Sequence, residues 1–542
     1  MPAFPITLLR EKAYAFVSKK NRGSNKKTVP PRRRPALTGG ALAAKNADEG
    51  KSQQALAWAQ TVLAAQSASA QSVSTRSPEP DDLSLAGHIY FRFAKYALAA
   101  ECFQRLGEQF PGDPSVDFHR AFSLAAVGQT NAAIAAVEAW LPTCSHLEVL
   151  QLAHYLELGG GVSQAIELLD NTKEQHTAPE ISLELGRLLG NSGERERAID
   201  LLSEGLRERF KTTGHRGAAW FFIGVFLDEQ GAAVDDVVAA YRASIAEEPT
   251  NPTAYINLAL RFNQAGQFQE TIDLLQPVAD TLEREPKIAY LLAVAFRMLD
   301  HFEEAIDLLK GLVARSDFAV AWELLGRCLT ECGQYDAAME HYRRWLSVKP
   351  AHPIATHMLA AMQGEKVPGR ASREYVVETF DAFANTFEDT LVRLQYRGPQ
   401  CIQHLLAQKI GPPAEPPTFN VLDAGCGTGL VGPVLRPYAS RLLGIDLSAA
   451  MLERAAAKGL YDQLECGDLE EYLASQAGQF DLIVAADTFN YFGDLSQLLA
   501  TALAALTEDG WLMFTLEEGV LTEETYQLNA HGRYAHSPAY II

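Results

Sequence analysis

Two architectures in series are predicted by this 542-residue chain: a helical solenoid and, behind it, a doubly wound parallel α/β sheet. Three observations carry the prediction. Small residues recur at a spacing near 34 across residues 80–352. A strand ending in an acid runs into a GxGxG loop and then a helix at 419–438. Short apolar strands alternate with helical segments from there to residue 517. Such alternation places helices in the crossovers of a parallel sheet. A chain of this length also needs more than one core, because domains usually run to about 100–200 residues.

Charge and composition bound the remainder. The chain is 47% hydrophobic and 21% charged. No apolar run reaches the ~18 residues of a membrane helix. Residues 1–50 hold eleven Lys and Arg against Glu11, Asp48 and Glu49, a net of +8; the whole chain is −20, so the body is −28. An acidic body repels phosphates and excludes extended nucleic-acid contacts. Lys19-Lys20, Lys26-Lys27 and Arg32-Arg33-Arg34 stand among Pro and Gly, which predicts a basic, disordered tail over 1–79 with a degenerate repeat at 45–70. The tail has the basic character of a targeting segment, but Glu11 interrupts its short apolar pattern at 6–17, which favours a solvated extension. Cys102, Cys144, Cys328, Cys332, Cys401, Cys426 and Cys466 form no CxxC pair and no zinc spacing. They read as free thiols in a reducing, cytoplasmic setting, with no metal site.

The solenoid is clearest in Trp322, Leu325, Gly326, Leu329, Gly333, Tyr335, Ala338, Tyr342 and Pro350. The small position of Ala338 recurs at Ala305, Thr271, Val237, Ala198, Ala165, Ala133 and Ala99, at steps of 33, 34, 34, 39, 33, 32 and 34. A Gly or Asp marks the turn between helices at Gly128, Gly160, Gly193, Gly231, Gly266, Asp300 and Gly333. The pattern resembles the tetratricopeptide repeat. The resemblance implies about eight helix pairs over 80–352, stacked into a superhelix whose concave face docks a protein or peptide.

A linker and helical segment at 353–418 lead to the second architecture. The strand and loop Val421-Leu422-Asp423-Ala424-Gly425-Cys426-Gly427-Thr428-Gly429 open it. A glycine-rich loop by itself fits a nucleoside triphosphate, a dinucleotide or S-adenosyl-L-methionine. The loop lacks the GK[ST] of a phosphate-binding loop and the third glycine of the dinucleotide fingerprint. Asp423 would repel a pyrophosphate and suits a cationic ammonium. Asp446 ends the next strand 21 residues after Gly425, where a carboxylate can accept two ribose hydroxyls.

Together the stretches VLDAGCGTG, LLGIDLSAAML, CGDLEE and FDLIVAAD resemble the class I S-adenosylmethionine-dependent methyltransferases over 419–517. The segment Phe380-Asp381-Ala382-Phe383-Ala384-Asn385-Thr386-Phe387-Glu388 resembles their lead-in helix, which lids the cofactor. The whole chain, including Gly532–Ser537, resembles bacterial tetratricopeptide-repeat methyltransferases. The resemblance implies a Rossmann-like sheet over 419–542 with S-adenosyl-L-methionine as cofactor. Its binding residues would be Asp423, Gly425, Gly427, Gly429, Asp446, Leu447, Met451, Asp468, Leu469 and Asp487. In it Met451 faces the adenine and Asp468 receives the adenine amino group.

Methyl transfer needs an acceptor held in line with the sulfonium methyl, and a base only if the acceptor must lose a proton. Asp487, Tyr491 and His536 are the catalytic candidates, with Asn490, His531 and Tyr534 beside them. Asp487-Thr488-Phe489-Asn490 replaces the DPPY or NPPY tetrapeptide of amino-group methyltransferases, which argues against adenine, cytosine or glutamine as acceptor. The expected function is methyl transfer to a small molecule or a repeat-docked protein; the alternative is a repeat-based protein-binding scaffold with a non-catalytic or truncated cofactor domain. The family sheet has seven strands, and 25 residues follow Glu517. The expectation is therefore that the closing hairpin is missing, that strand five is an exposed edge, and that Trp511, Met513 and Leu516 cannot all be covered.

Overall fold

The computed structural model describes residues 52–67, 80–176, 178–364, 367–384, 387–519 and 526–541. The basic motifs of the tail lie outside the described residues. The chain divides into two compact units, to Gln230 and from Gly231.

In the first unit, helices Pro80–Arg92, Tyr96–Gln109, Pro114–Ala126, Thr130–Val137, His146–Leu158, Val162–Thr172, Pro179–Asn191, Arg195–Glu208 and Thr213–Glu229 follow one another. Ser52–Ser67 precedes them and packs Ala55, Ala59, Val62 and Leu63 against Leu83 and Ile89. Starts are set by capping: Asp113 accepts from the N–H groups of Ser115 and Val116 ahead of Pro114, and Ser145 forms a capping box with Glu148. Turns are set by glycine. Gly128, Gly160 and Gly193 have φ of 82°, 85° and 99°, a region open to glycine at little cost. The step of 39 residues has a local cause: Thr213–Glu229 is 17 residues long where its counterpart Pro179–Asn191 has 13.

The second unit carries the array onward through Val234–Glu247, Pro252–Gln264, Phe268–Leu275, Pro286–Met298, Phe302–Arg315, Ala319–Glu331 and Tyr335–Val348. All eight predicted small positions, from Ala99 to Ala338, are fully buried. The repeat register fades at Pro353, but the helical packing does not. Helix Pro353–Gln363 seats Ile354, Ala355, Met358 and Ala361 in the core that holds Trp322 and Tyr342.

Helices Arg373–Phe383, Phe387–Arg393 and Gly398–Lys409 lead to the sheet. Its strands are β1 (Phe419–Ala424), β2 (Ala439–Asp446), β3 (Gln463–Cys466), β4 (Phe480–Ala485) and β5 (Leu506–Phe514), all parallel, in the order β3-β2-β1-β4-β5. Each face has its own core. Leu422, Ile483 and Phe480 meet Leu473 and Leu498 on one side, while Val421, Leu482 and Met513 meet Ile402 and Leu406 on the other. This is the doubly wound arrangement.

No strand covers β5 in the main sheet, as expected, but the described chain beyond Glu517 forms strands of its own. A hairpin is present: β7 (Tyr526–Leu528) pairs antiparallel with β8 (Tyr534–His536), and β6 (Glu517–Glu518) runs parallel to β8. It makes a separate three-stranded sheet and leaves β5 at the edge of the five-stranded one. It packs on helix Pro353–Gln363 and the segment after it. Leu528 and Tyr534 join the core cluster of Ile354 and Tyr375, Tyr534 donates to Pro368 O at 2.8 Å, and His357 Nε2 meets Gly532 O at 2.9 Å. Met513 is buried and Leu516 half-buried, while Trp511 stays 41% exposed.

Candidate active site

The loop after β1 places three glycines for different reasons. Gly425, Gly427 and Gly429 have φ of 74°, 54° and 80°. The N–H groups of Gly425 and Cys426 both donate to Ile445 O, at 2.8 and 2.9 Å, which pins the loop to β2. A Cβ on Gly425 would lie 2.2 Å from Thr488 Oγ1, and one on Gly429 would lie 2.9 Å from the Tyr461 ring. A Cβ on Gly427 would meet nothing within 4 Å, nor would one on Gly467 at the end of β3. Gly425 and Gly429 are therefore demanded by packing. Gly427 borders open space, and Gly467 has room beside it.

Asp446 lies between those two glycines. Its Oδ2 accepts from Gly427 N at 2.8 Å and its Oδ1 from Ser448 N at 2.9 Å, while Gly467 N donates to its carbonyl at 3.0 Å. Burial raises its carboxyl above the usual range against the pull of those backbone N–H groups. Asp423 is deeper, 1% exposed, and accepts the Tyr461 hydroxyl at 2.7 Å. Burial pushes its carboxyl up to about 7. Leu447 is half-buried, and Met451 is buried at the start of Ala449–Ala457. Leu469 packs into the core with Leu422 and Phe489.

The lead-in helix reaches the turn after β2. Asp381, on Arg373–Phe383, accepts from Ser448 Oγ at 2.5 Å and Ala450 N at 3.4 Å. Phe380 packs edge-on to Tyr491 with ring centroids 5.5 Å apart, and Glu388 pairs with Lys458 at 2.8 Å. Asn385 and Thr386 lie outside the described residues.

Asp468 is differently engaged. Its Oδ1 accepts from the N–H groups of Glu470 and Glu471, and its Oδ2 meets Arg370 at 2.6 Å and Arg373 at 3.0 Å. Burial would raise its carboxyl, yet the Arg370 and Arg373 charges hold it below the usual range. Neither arginine is legible as a site residue: Arg370 ends what reads as linker, and Arg373 stands at the start of what reads as the lead-in helix.

On the β4 side, Asp487 adopts φ of 59°, unusual for a residue with a side chain. Its N–H donates to Thr515 Oγ1 at 2.8 Å, and Thr515 donates back to Oδ1 at 3.0 Å, with Asn490 Nδ2 at 3.3 Å. The Tyr396 phenol, from the segment before Gly398–Lys409, is raised above the usual range by burial and then by the Asp487 charge. Tyr491 is half-buried beside this group, its phenol raised chiefly by burial. His536 is elsewhere: it is buried in β8 with Nε2 on Gly493 O at 3.0 Å, and burial lowers its imidazole. Tyr534 is buried against Pro368, and His531 pairs with Glu517 on the surface.

Residues 422–514 match the model of a methyltransferase domain. Residues 183–252 and 318–362 match tetratricopeptide repeat models. The chain carries a methyltransferase domain behind tetratricopeptide repeats. The chain is 38% identical over 107 residues to human methyltransferase-like protein 27, a match covering 19% of this chain and 43% of that one. It is 32% identical over 123 residues to the malonyl-[acyl-carrier protein] O-methyltransferase of Priestia megaterium, covering 22% and 42%. It is 27% identical over 100 residues to the ubiquinone biosynthesis O-methyltransferase of Bordetella avium, covering 18% and 42%. The chain thus spans less than half the length of each relative. The matched methyltransferase region holds Asp423, Asp446, Asp468 and Asp487; Arg370, Arg373, Asp381 and Tyr396 lie upstream of it. No helix among the described residues is long and apolar enough to cross a membrane.

Proposed function

We propose that the chain is an S-adenosyl-L-methionine-dependent methyltransferase acting on an oxygen acceptor, a small molecule or a protein docked on the repeats. The observation that carries the reading is Gly427: its α-carbon borders open space, at positive φ, with its N–H fixed on the Asp446 carboxylate. A β-carbon there would enter the space a nucleoside needs. When bound, the cofactor supplies an activated sulfonium methyl.

The residues divide the remaining work. Asp446, half-buried and oriented by two backbone N–H groups, holds the ribose hydroxyls. Asp423 faces the ammonium, oriented by Tyr461. Leu447, Met451 and Leu469 shape the base pocket. Asp381 keeps the lead-in helix over Ser448 and excludes water. Asp487, its Oδ1 fixed by Thr515 and Asn490, accepts a proton from an acceptor hydroxyl that displaces Tyr396, with Tyr491 alongside. His536 is buried on Gly493 and has no part in proton transfer here. The two O-methyltransferase relatives and the missing DPPY tetrapeptide support oxygen over nitrogen. A docked protein on the repeats and a cytoplasmic setting belong to the same proposal.

The test is transfer of label from methyl-labelled S-adenosyl-L-methionine to candidate hydroxyl and carboxyl acceptors. Transfer that is lost in Asp487→Asn supports the reading. Cofactor binding with no transfer to any acceptor or lysate component favours the scaffold alternative.

A further inference from the structure

We propose that Arg370 and Arg373 are positioning residues for the nucleoside end of the cofactor site, and that Asp468 is their anchor and not a reader of the adenine amino group. The inference rests on the reading that this site takes S-adenosyl-L-methionine.

A carboxylate offers about four acceptor directions. At Asp468 the two on Oδ1 are taken by Glu470 N and Glu471 N, at 3.1 and 3.3 Å. On Oδ2, Arg370 Nη2 donates at 2.6 Å and Arg373 Nε forms an ion pair at 3.0 Å. The side chain is 1% exposed. Both oxygens are thus engaged by partners within the chain before any ligand amino group. Asp446, by contrast, is half-buried and has one such bond on each oxygen.

The arginines are fixed from the other side. Arg370 also pairs with Glu470, and its guanidinium lies 4.7 Å over the Phe492 ring. Arg373 also pairs with Glu471. Their backbone is tied to the loop after β4: Ala371 N donates to Tyr491 O at 2.8 Å, and the N–H groups of Gly493 and Asp494 donate to Gly369 O at 2.8 and 2.9 Å. Residues 367–373 thus form a strap between the loop after β4 and the turn 466–469. That turn includes Gly467, whose N–H holds the Asp446 carbonyl. Removing an arginine leaves a buried carboxylate short of its partner and frees the turn to shift.

The experiment uses the full chain and titrates S-adenosylhomocysteine and its inosine counterpart, which lacks the amino group, by calorimetry. Arg370→Gln and Arg373→Gln are each expected to weaken S-adenosylhomocysteine by roughly 10-fold, the scale of one charge-assisted hydrogen bond. Amide exchange over 466–473 should accelerate in both. The preference between the two ligands should stay as in the wild type, in these variants and in Asp468→Asn. Wild-type affinity in both arginine variants overturns the positioning role. A preference that collapses to one in Asp468→Asn overturns the anchor role, because Asp468 then reads the base. If Asp468→Asn does not fold, the arginine variants alone decide. If the wild type binds neither ligand, the cofactor reading fails, and exchange that is unchanged in the arginine variants overturns the clamp itself.

Discussion

Tyr461 donates its hydroxyl to the buried carboxylate of Asp423 across 2.7 Å, from a position 38 residues downstream. Burial pushes this carboxyl up to about 7, the Tyr461 hydroxyl pulling it down and the Asp446 charge adding to the rise. Below that pH the group is neutral; above it the group is an anion facing the expected ammonium. Affinity for S-adenosyl-L-methionine should therefore rise from about pH 6 to pH 8. Asp423→Asn should flatten the profile. Tyr461→Phe, which removes a bond to the anion, should move the rise to higher pH. A profile identical in all three proteins would remove Asp423 from the ammonium site.

The same group has the opposite sign for the unliganded fold. Its folded value lies above the ordinary carboxylate value of 3.8. Its stabilising contribution is complete below that ordinary value and is lost as pH rises through about 7. Asp423→Asn should make the melting temperature of the ligand-free protein less sensitive to pH across this window. Thermal melts from pH 5 to about 8 check it; an unchanged slope contradicts it.

Gly425 and Gly427 should fail differently. At Gly425 even alanine places Cβ 2.2 Å from Thr488 Oγ1, so the loop must move and stability falls by about 1–3 kcal/mol, as in other overpacked sites. At Gly427 the space is free, and valine costs only the strain of positive φ, about 1–2 kcal/mol. Gly427→Val should nonetheless abolish cofactor binding. Melting curves beside calorimetry separate the two. Normal binding by folded Gly427→Val would mean the loop is structural only.

The seam around Tyr534 predicts cooperative unfolding of the second unit. The residue is fully buried and shares its core with Ile354 and Tyr375. Reading strand five as an uncovered edge leads to early unfolding of the sheet domain; this shared core leads to unfolding together with the neighbouring repeats. Tyr534→Ala should cost about 3–5 kcal/mol and expose both segments to protease together. Cleavage within 419–541 at a rate unrelated to cleavage within 252–363 would show two independent bodies.

The sequence was legible where local physics sets the structure. The small positions Ala99 to Ala338 show by period, and the loop at Gly425 by an apolar strand, an acid and three glycines. Contacts between distant residues left no such trace. Arg370 and Arg373 form no periodic pattern with Asp468, so neither carries a trace of that pairing. Tyr396 meets Asp487 from a segment with no motif. Strands β6, β7 and β8 are two or three residues long, too short for a period-two signal, so the hairpin was invisible and its packing on His357 could not be foreseen. Asp468 shows the reverse case: the motif predicts a ligand contact, and two arginines far upstream already occupy the group.

Titration of the full chain with S-adenosyl-L-methionine, beside Asp446→Ala, tests the central claim most directly. The account predicts saturable one-site binding in the wild type. It predicts a loss of about 2–3 kcal/mol in the variant, roughly 30- to 150-fold in affinity, because two ribose hydroxyls lose a charged acceptor. Equal affinity in the two proteins, or no binding by the folded wild type, would contradict it.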